Sequence, residues 1–361
     1  MAFRSNLKKF IPGKVIFSSS NRLLSGFGLA YERFGEPVEV LKKIPIKHER
    51  ALKGNQVKVK YLASPINPAD INTIQGVYPI KPAEFPAIGG NEGFGEITAV
   101  GPNVRNIKVG DKIVPLVLAS GTWITESVLT EKEVCVLNPD VNTLFASQIT
   151  VNPCTAYRML KDFVNLQPQD TIIQNGAGSA VGVNVIQLAR IFNFRTINVI
   201  RDRDLVEMEE AKSNLKALGA DVVISESELV KKELMDNIFS RYPKPKLALN
   251  CVGWEAATNC SRHLADDGIM VTYGGMSKKP VVIATGSFIF KNHSYVGFWM
   301  TRWRQQNSLA KLQNMFEELI EYNNNGQLLT PKINEVSIND YKEVFEILSS
   351  GKYKGKYVFR F

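Results

Sequence analysis

Several features are scarce or missing in this sequence, and each absence narrows the possible function. No apolar run approaches the roughly 18 residues that a membrane-spanning helix requires, and there is no internal repeat or low-complexity tract. The four cysteines are scattered and form no Cys-x-x-Cys pair, which excludes a four-cysteine zinc lobe. None of the three histidines stands in a recognisable Ser/His/Asp arrangement, so nothing indicates a hydrolytic triad.

Acidic residues are missing from the first 31 positions, a basic stretch that contains three consecutive serines. Its charged residues are Arg4, Lys8, Lys9, Lys14 and Arg22. A basic, serine-rich, acid-free N-terminus is typical of a mitochondrial transit peptide, so residues 1–26 are interpreted as one; the alternative is a simple basic tail. Removing these five positive charges would lower the formal net charge from +9 to +4, so the charge balance gives little support to nucleic-acid binding.

The remaining composition is that of an ordinary soluble globular protein, with 44% hydrophobic and 22% charged residues. At 361 residues the chain is long enough for two domains. Residues 27–150 are β-rich: Val57–Tyr61 alternates, and Gly95–Val100 and Lys112–Leu118 are β-branched runs. We predict a barrel-like domain over residues 27–150, completed by residues 304–361.

The stretch Thr171–Arg203 organises the second domain. It begins with a β-branched run and continues with a glycine loop, a segment of helical apolar spacing and a second β-branched run. These are Thr171–Ile173, the glycines Gly176, Gly178 and Gly182, Val181–Phe192 and Thr196–Ile200. A glycine loop between a strand and a helix lets the backbone approach a pyrophosphate, although the third glycine of this GxGxxxG pattern is one residue late. The stretch predicts a dinucleotide-binding domain over residues 151–303.

The second strand of this stretch ends in Arg201, Asp202 and Arg203. NAD-dependent enzymes place an acidic residue here to hold the ribose 2′-hydroxyl, whereas the forked guanidinium of arginine suits a 2′-phosphate. The two arginines therefore favour NADPH over NADH. The acidic residues in and after the triplet leave a second interpretation open, a solvated surface charge run.

Beyond residue 203, predicted strands and helices alternate as in a doubly wound parallel sheet. Ahead of the glycine loop, Asn152-Pro153 is expected to open a helix, with Asn152 suited to the N-cap. An aromatic segment near the end of the sheet has strand-like spacing and suits an apolar pocket or a subunit contact equally well. Its aromatic residues are Phe288, Phe290, Phe298, Trp299 and Trp303.

Several motifs together resemble one family. They are NPADINTIQGVYP at 67–79, GGNEGFGEITAVGPNV at 89–104, VNPCTAYRML at 151–160, YGGM at 273–276 and GFWMTRW at 297–303. The arrangement resembles the medium-chain dehydrogenase/reductase superfamily and, more closely, its mitochondrial trans-2-enoyl-thioester reductases. The resemblance covers nearly the whole chain after the presumed leader. It implies an α/β fold with a GroES-like β-barrel catalytic domain and a Rossmann doubly wound cofactor domain, in a homodimer of the mitochondrial matrix.

The resemblance also implies the reaction, which is NADPH-dependent reduction of trans-2-enoyl thioesters to saturated acyl thioesters in mitochondrial fatty acid synthesis. Hydride adds to C3 of the conjugated thioester, and negative charge develops on C2 and the thioester oxygen. Tyr78 is the implied catalytic residue, because a phenol of ordinary pKa about 10 stays protonated and can stabilise the enolate and protonate C2. From the residues alone, Tyr78 is only a tyrosine in a Gly-x-Tyr-Pro turn.

The same resemblance implies which residues bind NADPH. Asn152 is expected to orient the cofactor or Tyr78, and Ser179 is the expected hydroxyl donor to phosphate. The full expected set is Asn152, Gly178, Ser179, Ala180, Val181, Arg201, Asp202, Arg203, Tyr273, Gly274, Gly275, Met276, Phe298, Trp299, Met300 and Lys356.

The superfamily includes zinc alcohol dehydrogenases, which carry a histidine-glutamate pair where this sequence has Asn91 and Glu92. Because zinc prefers cysteine and histidine ligands with some carboxylate, we expect no bound metal. A zinc-free NADPH quinone oxidoreductase and a catalytically silent NADPH-binding scaffold remain alternatives to the enoyl reductase.

A cluster of basic residues suits an acidic acyl-carrier protein as partner, although a solvated rim is an equally good interpretation. The cluster consists of Lys278, Lys279, Lys291, Arg302 and Arg304.

Overall fold

The computed structural model describes residues 24–47, 51–117, 119–351 and 355–361. These residues fall into two compact units. The first contains the chain up to Thr150 together with Lys332–Phe361, and the second contains Val151–Pro331. The predicted leader lies outside the described residues up to position 23, and its last three positions belong to the first strand.

The N-terminal part of the first unit is rich in short strands, as its β-branched, glycine-punctuated sequence predicts. Its strands are β1 (Leu24–Tyr31), β2 (Lys42–Lys47), β3 (Gln56–Pro65), β4 (Ala87–Ile88), β5 (Phe94–Val100), β6 (Lys112–Pro115), β7 (Glu126–Thr130) and β8 (Val134–Val136). Its helices are α1 (Pro37–Val40), α2 (Pro68–Ile74) and α3 (Thr143–Ala146).

The second unit alternates strands and helices. Its helices are α4 (Asn152–Asp162), α5 (Ala180–Ile191), α6 (Leu205–Ala217), α7 (Glu226–Leu229), α8 (Lys232–Phe239), α9 (Trp254–Ser261), α10 (Thr285–Ile289), α11 (Met300–Gln306) and α12 (Leu309–Asn324). Its strands are β9 (Thr171–Gln174), β10 (Arg195–Ile200), β11 (Val222–Ser225), β12 (Leu247–Asn250), β13 (Ile269–Thr272) and β14 (Ser294–Gly297). No helix within the described ranges is long and apolar enough to cross a membrane.

The chain then returns to the first unit with β15 (Ile333–Ser337), α13 (Tyr341–Ser349) and β16 (Lys356–Arg360). Two sheets result: β1 lies between β2 and β4, and a larger sheet has the order β15-β16-β3-β5-β6-β8, with β7 also paired to β3. Trp123 is fully buried against Phe345 and Phe359, with ring centroids 5.3 and 5.6 Å away. The C-terminal segment thus supplies part of the core that the N-terminal strands enclose.

All strands of the second unit are parallel, in the order β11-β10-β9-β12-β13-β14. Numbered from β9, this is the 3-2-1-4-5-6 order of a doubly wound Rossmann sheet. The central strands β9 and β12 are buried along their whole length, as strands covered by helices on both faces must be. The α/β fold class expected from the sequence is therefore confirmed.

The second unit extends beyond residue 303, where the sequence analysis had placed its end. α12 packs against α4, and Tyr157 Oη donates a hydrogen bond to Glu318 Oε2 at 2.5 Å. Gln187 Nε2, on α5, donates to the Leu329 carbonyl oxygen at 3.1 Å. These contacts hold the segment after α11 on the second unit, so the boundary lies after Pro331.

Candidate functional site

The glycine loop follows β9, where the strand order of the sheet reverses and doubly wound folds bind their ligands. Gly176 has φ +60°, and a Cβ there would lie 2.4 Å from Cys251 Sγ. A Cβ on Gly182 would lie 2.5 Å from the Ala177 carbonyl oxygen. Gly178, in contrast, has nothing within 4 Å of a Cβ position. Two glycines are therefore required by the fold, and the third leaves bare backbone that a pyrophosphate can approach.

Ser179 is the N-cap of α5, and its hydroxyl oxygen accepts a hydrogen bond from the Gly182 N–H at 3.1 Å. Its own hydroxyl hydrogen can still be donated, as a phosphate contact requires. Ala180 and Val181 occupy the first turn, where backbone N–H groups have no intrahelical acceptor. Their N–H groups and the hydroxyl form the donor set that suits an anion at a helix N-terminus.

Two buried asparagines, absent from the expected set, tie β9 to β12 beneath this loop. Asn175 Nδ2 donates to Asn250 Oδ1 at 2.7 Å, and the Cys251 backbone N–H donates to Asn175 Oδ1 at 2.8 Å. The sequence signal that could have identified Asn175 is its position as a polar residue directly after a buried strand. The pair holds β9 and β12 together at the point where the strand order reverses and the glycine loop starts.

The three residues that follow β10 have different surroundings. Arg201 and Arg203 are exposed. The Asp202 carboxylate accepts hydrogen bonds from Ser227 Oγ at 2.6 Å and from the Ser227 backbone N–H at 3.1 Å. Hydrogen bonds from Ser225 and Ser227 lower the pKa of Asp202. The acidic member of the triplet is thus ionised and engaged by the chain itself, while both guanidinium groups face solvent.

Seven more of the expected cofactor residues follow the last two strands of the same sheet. Tyr273–Met276 come directly after β13, and Phe298–Met300 come directly after β14. Backbone hydrogen bonds fix both turns, from Met276 N–H to the Cys251 carbonyl and from Phe298 N–H to the Thr272 carbonyl, each 2.9 Å. Burial raises the pKa of the Tyr273 phenol well above its ordinary value. Gly178–Val181, the arginine triplet and these two segments all lie at the carboxyl edge of one parallel sheet, where a dinucleotide binds.

Asn152 is buried, but it does not cap its helix. The N-cap of α4 is Val151, and Asn152 is the first helical residue, followed by Pro153. The N-cap expectation is wrong because the helix starts one residue earlier than its Asn-Pro signature suggests. Helix capping therefore does not account for the burial of the Asn152 side chain.

The aromatic segment is not one strand. Phe288 lies on α10 and Phe290 follows it, both exposed, whereas Trp303 lies on α11 and is buried. The Trp303 indole N–H donates to Asp162 Oδ2 at 3.0 Å, and the Arg158 guanidinium lies 4.6 Å from the indole ring centre. The strand-like spacing was coincidental, because these aromatics are divided between two helices, α10 and α11, and the turns that follow α10 and β14.

In the first unit, Tyr78 follows the turn that ends α2. Asn67 and Asp70 form a capping box at the start of this helix. At its end, the backbone N–H groups of Val77 and Tyr78 both donate to the Asn72 carbonyl oxygen, at 3.0 and 3.1 Å. Gly76 takes φ +77°, and a Cβ there would lie 2.7 Å from the Phe34 ring. The tyrosine therefore sits on a turn whose backbone is fixed from both sides.

The start of α2 belongs to a buried polar network. Asn67 Nδ2 donates to Glu92 Oε1 at 2.6 Å, and Thr150 Oγ1 donates to Glu92 Oε2 at 2.8 Å. Lys356, on β16, donates through its ammonium to Asn67 Oδ1. Asp70, Glu92 and Lys356 are 1%, 0% and 9% exposed. The network ties the start of α2, the helix that precedes the Tyr78 turn, to Glu92, Thr150 and the last strand, β16.

Burial shifts the pKa of each charged member toward the neutral form. It raises the pKa of Asp70 to about 6 and also raises the pKa of Glu92, while the Lys356 ammonium lowers both and limits the rise. Burial lowers the pKa of Lys356, against the attraction of Glu92 and Asp70. The sequence analysis identified only Lys356, as a cofactor contact; Asn-x-x-Asp at 67–70 was a capping signature that could have pointed to the rest.

The position that holds a metal-binding histidine in zinc alcohol dehydrogenases is occupied by an amide with another partner. Asn91 Nδ2 donates to Asp70 Oδ1 at 2.6 Å. Across the residues that the structure describes, no group of three or more His, Cys, Asp or Glu side chains could hold a metal ion. All four cysteines are buried, and none forms a disulfide.

Comparisons with known proteins place both units in one superfamily. The alcohol dehydrogenase GroES-like domain family matches residues 53–140, and the zinc-binding dehydrogenase family matches residues 180–320. A curated relative from Xenopus tropicalis, named mitochondrial enoyl-acyl-carrier-protein reductase, is 43% identical over 328 residues. The match covers 90% of this chain and 92% of the relative.

Solved structures agree with the sequence comparison. A chain of the Candida tropicalis mitochondrial 2-enoyl thioester reductase heterodimer, Etr1p/Etr2p, is similar with a TM-score of 0.87 and 36% identity, covering 94% of this chain and 100% of that one. A complex of Etr1p with NADP and crotonyl-CoA is similar with a TM-score of 0.86 and 35% identity, and the match covers 93% of this chain and 99% of that one.

Proposed function

The chain belongs to the mitochondrial enoyl-acyl-carrier-protein reductases of the medium-chain dehydrogenase/reductase superfamily, and we propose that it reduces trans-2-enoyl thioesters to saturated acyl thioesters with NADPH. The observation that carries the proposal is the sheet edge where the bare backbone of Gly178 accompanies the exposed Arg201 and Arg203. This edge suits a pyrophosphate and a 2′-phosphate together. The Etr1p complex, which holds NADP and crotonyl-CoA, supports the same pairing of cofactor and substrate class.

Bound NADPH supplies a hydride to C3 of the enoyl thioester. The chain must then stabilise the negative charge that develops on the thioester oxygen and C2, and protonate C2. We assign both tasks to the Tyr78 phenol, since a positioned general acid and an electrostatic donor are what this step needs. The fixed turn between Asn72 and Tyr78 supports this assignment, because a donor is effective only when its position is set before the charge forms.

A substrate panel tests the activity. NADPH oxidation is measured at the nicotinamide absorbance band with crotonyl, hexenoyl and decenoyl thioesters, and with a quinone in a parallel series. Turnover of enoyl thioesters is expected. Turnover of the quinone alone would establish a quinone oxidoreductase instead, and NADPH binding without turnover of either would establish a silent scaffold.

Replacing both Arg201 and Arg203 by alanine is expected to weaken NADPH binding at least about tenfold more than NADH binding, since a hydrogen bond to a charged group contributes roughly 1.5–3 kcal/mol. Each dissociation constant is measured by fluorescence titration. Arg262→Ala, which removes a guanidinium from α9's C-cap elsewhere in the same unit, is the matched control. Equal losses for both cofactors would identify the triplet as a surface charge run.

Exhaustive chelation is expected to leave turnover unchanged, and metal analysis to find no stoichiometric zinc, because Asn91 stands where a ligand would be needed. The measurement is activity after dialysis against a strong chelator, with a zinc alcohol dehydrogenase treated in parallel. Activity that is lost on chelation and restored by zinc would overturn the metal-free assignment.

An acyl-carrier protein is the proposed carrier of the substrate. The basic cluster supports it in part: Lys278 and Lys279 are exposed, and Lys279 lies 4.5 Å above the Trp254 ring. Lys291 is already paired with Asp266 at 2.8 Å, so it contributes less free charge. The carrier is supported if the KM for acyl-carrier-protein thioesters is lower than the KM for CoA thioesters. The KM for acyl-carrier-protein thioesters should also rise with salt and in Lys278→Glu. Equal KM values for the two carriers would refute the proposal.

A homodimer is the proposed assembly, formed along the edge strand β14. This strand pairs with β13 on one side, and Val296 on the strand is exposed together with Phe288 and Phe290 of the preceding segment. Phe290 is 81% exposed, which is unusual for so large an apolar side chain unless a partner covers it. Phe290→Asp is expected to yield monomers in sedimentation velocity, and an unchanged dimer would place the interface elsewhere.

The mitochondrial matrix is the proposed location, and the relatives compared are named mitochondrial. Because β1 begins at Leu24 and pairs there with Lys47, we place the end of the leader before Leu24 rather than at residue 26. A reporter fused to residues 1–31 is expected to enter mitochondria; a cytosolic reporter would contradict the leader.

A further inference from the structure

We propose that Ser227 is a specificity-determining positioning residue, which holds the Asp202 carboxylate away from the cofactor ribose so that Arg201 and Arg203 meet the 2′-phosphate unopposed. The inference rests on the proposed function only in taking NADPH as the cofactor. It resolves a conflict within the triplet, since an acidic residue after the second strand ordinarily selects the 2′-hydroxyl of NADH.

The sheet register brings the two residues together. Ile200, the last residue of β10, pairs with Ser225, the last residue of the neighbouring parallel strand β11. Asp202 and Ser227 each lie two residues beyond these ends, at the same edge of the sheet. The short, two-point contact of 2.6 and 3.1 Å follows from this matched spacing.

The direction of the hydrogen bonds is fixed by chemistry. An ionised carboxylate only accepts, so the Ser227 hydroxyl must donate to Asp202. The Ser227 oxygen can then accept from Ser225 Oγ, 2.9 Å away, and the Ser225 oxygen accepts from the Glu228 backbone N–H at 3.2 Å. Only the two serine hydroxyls in this chain both give and receive one hydrogen, and the chain ends on Asp202, which only accepts. Such a chain holds the carboxylate in one orientation.

The contact is not needed to cap α7. Ser225 and Glu228 already form a complete capping box, in which the Ser225 N–H donates to Glu228 Oε2 at 2.8 Å. The Ser227 side chain adds nothing to that box. Its hydroxyl therefore acts on Asp202, and the lowered pKa of Asp202 agrees with a carboxylate that gains hydrogen bonds.

A released Asp202 would act against NADPH. Its charge would approach the 2′-phosphate and repel it, and its oxygens could accept from the 2′-hydroxyl of NADH. One charged group that interacts with it is Glu226, whose pKa is raised by burial and by the charge of Asp202 and lowered by Arg201. Because Glu226 repels Asp202, the serine contacts must hold the carboxylate on the α7 side against that repulsion.

The test measures dissociation constants for NADPH and NADH by fluorescence titration on the full chain. Ser227→Ala is expected to reduce the NADPH-over-NADH preference by about three- to tenfold, the size expected for one charged hydrogen bond at an exposed position. Ser227→Thr, which keeps the hydroxyl, should restore the wild-type preference. In an Asp202→Asn background, Ser227→Ala should have no effect on the preference, because no charge is left to release.

Ser213→Ala, an exposed serine of α6, is the control for removal of a hydroxyl. The proposal is overturned if Ser227→Ala weakens both cofactors equally, or if its effect persists with Asn at position 202. A wild-type chain without preference for NADPH would instead contradict the proposed cofactor, so the two failures are distinguishable.

Discussion

Tyr78→Phe is expected to lower turnover of enoyl thioesters by about 10²–10⁴ while NADPH affinity stays unchanged, which is the usual size of a general-acid contribution. Only the phenol oxygen is removed. If that oxygen acts when the enolate forms, kcat and kcat/KM fall together and the KM changes little. A residue that merely bound substrate would change KM instead.

The fold is expected to tolerate this change because backbone hydrogen bonds hold the turn. The N–H groups of Val77 and Tyr78 bond to the Asn72 carbonyl, and Gly76 supplies the positive φ. Phenylalanine keeps the ring and every one of these backbone bonds. Loss of activity can therefore be read as lost chemistry.

Steady-state kinetics on an enoyl thioester and NADPH titration of the same variant give the two measurements. Tyr61→Phe is the control, since Tyr61 is a buried tyrosine of the same unit whose oxygen receives only a long 3.3 Å bond from Ser127. It should leave kcat unchanged. Near-normal kcat in Tyr78→Phe would remove the residue from the mechanism, and lost NADPH affinity with unchanged kcat would make it a cofactor-positioning residue.

The parts of the site that could be predicted from sequence are those set by local chemistry. Glycines between a strand and a helix imply the loop at 176–182, where Gly176 and Gly182 have steric reasons and Gly178 has open space beside it. The arginine triplet was expected from its place after the second strand, whereas the residues after β13 and β14 were implied by the family resemblance. All three segments lie at one edge of the sheet because parallel strands end there.

The parts that could not be predicted depend on contacts between distant segments. Lys356 meets Asn67 across nearly the whole chain, and no spacing rule links them. Ser227 lies 25 residues after Asp202, and its role depends on the register of two neighbouring strands. Asn152 shows the opposite error, because a strong local signature placed a cap one residue away from the true one.

Lys356→Met is expected to lower the free energy of unfolding by about 3–5 kcal/mol near pH 8, because removing one partner of a buried ion pair leaves uncompensated charge. Here two carboxyl groups, those of Asp70 and Glu92, lose the same cation. Methionine has a similar length and no charge, so packing changes little. Helix α2 begins at this network, so the same variant should also lower turnover.

The loss of stability in Lys356→Met should depend on pH. Asp70 has a raised pKa, so the folded chain keeps a proton that the unfolded chain has lost, and stability falls as pH rises from 3.8 to about 6. Glu92 acts in the same direction toward neutral pH. Lys356 has a lowered pKa, so its contribution makes stability rise again as pH increases toward 10.5. In Lys356→Met the rise in stability above neutral pH is absent. The fall in stability caused by the carboxyl groups extends to higher pH, because both carboxyls have lost their cation.

Urea unfolding followed by circular dichroism at pH 5.5 and pH 8 measures this difference. At pH 5.5 both carboxyls are largely protonated in the folded variant, so its loss relative to wild type should be small; at pH 8 it should be largest. Lys42→Met is the control, since Lys42 and Glu32 form an exposed ion pair at 3.5 Å that should contribute at most about 1 kcal/mol at either pH. A loss of equal size at both pH values would mean that Lys356 stabilises the unit by packing alone, and that the two carboxyls do not depend on its charge.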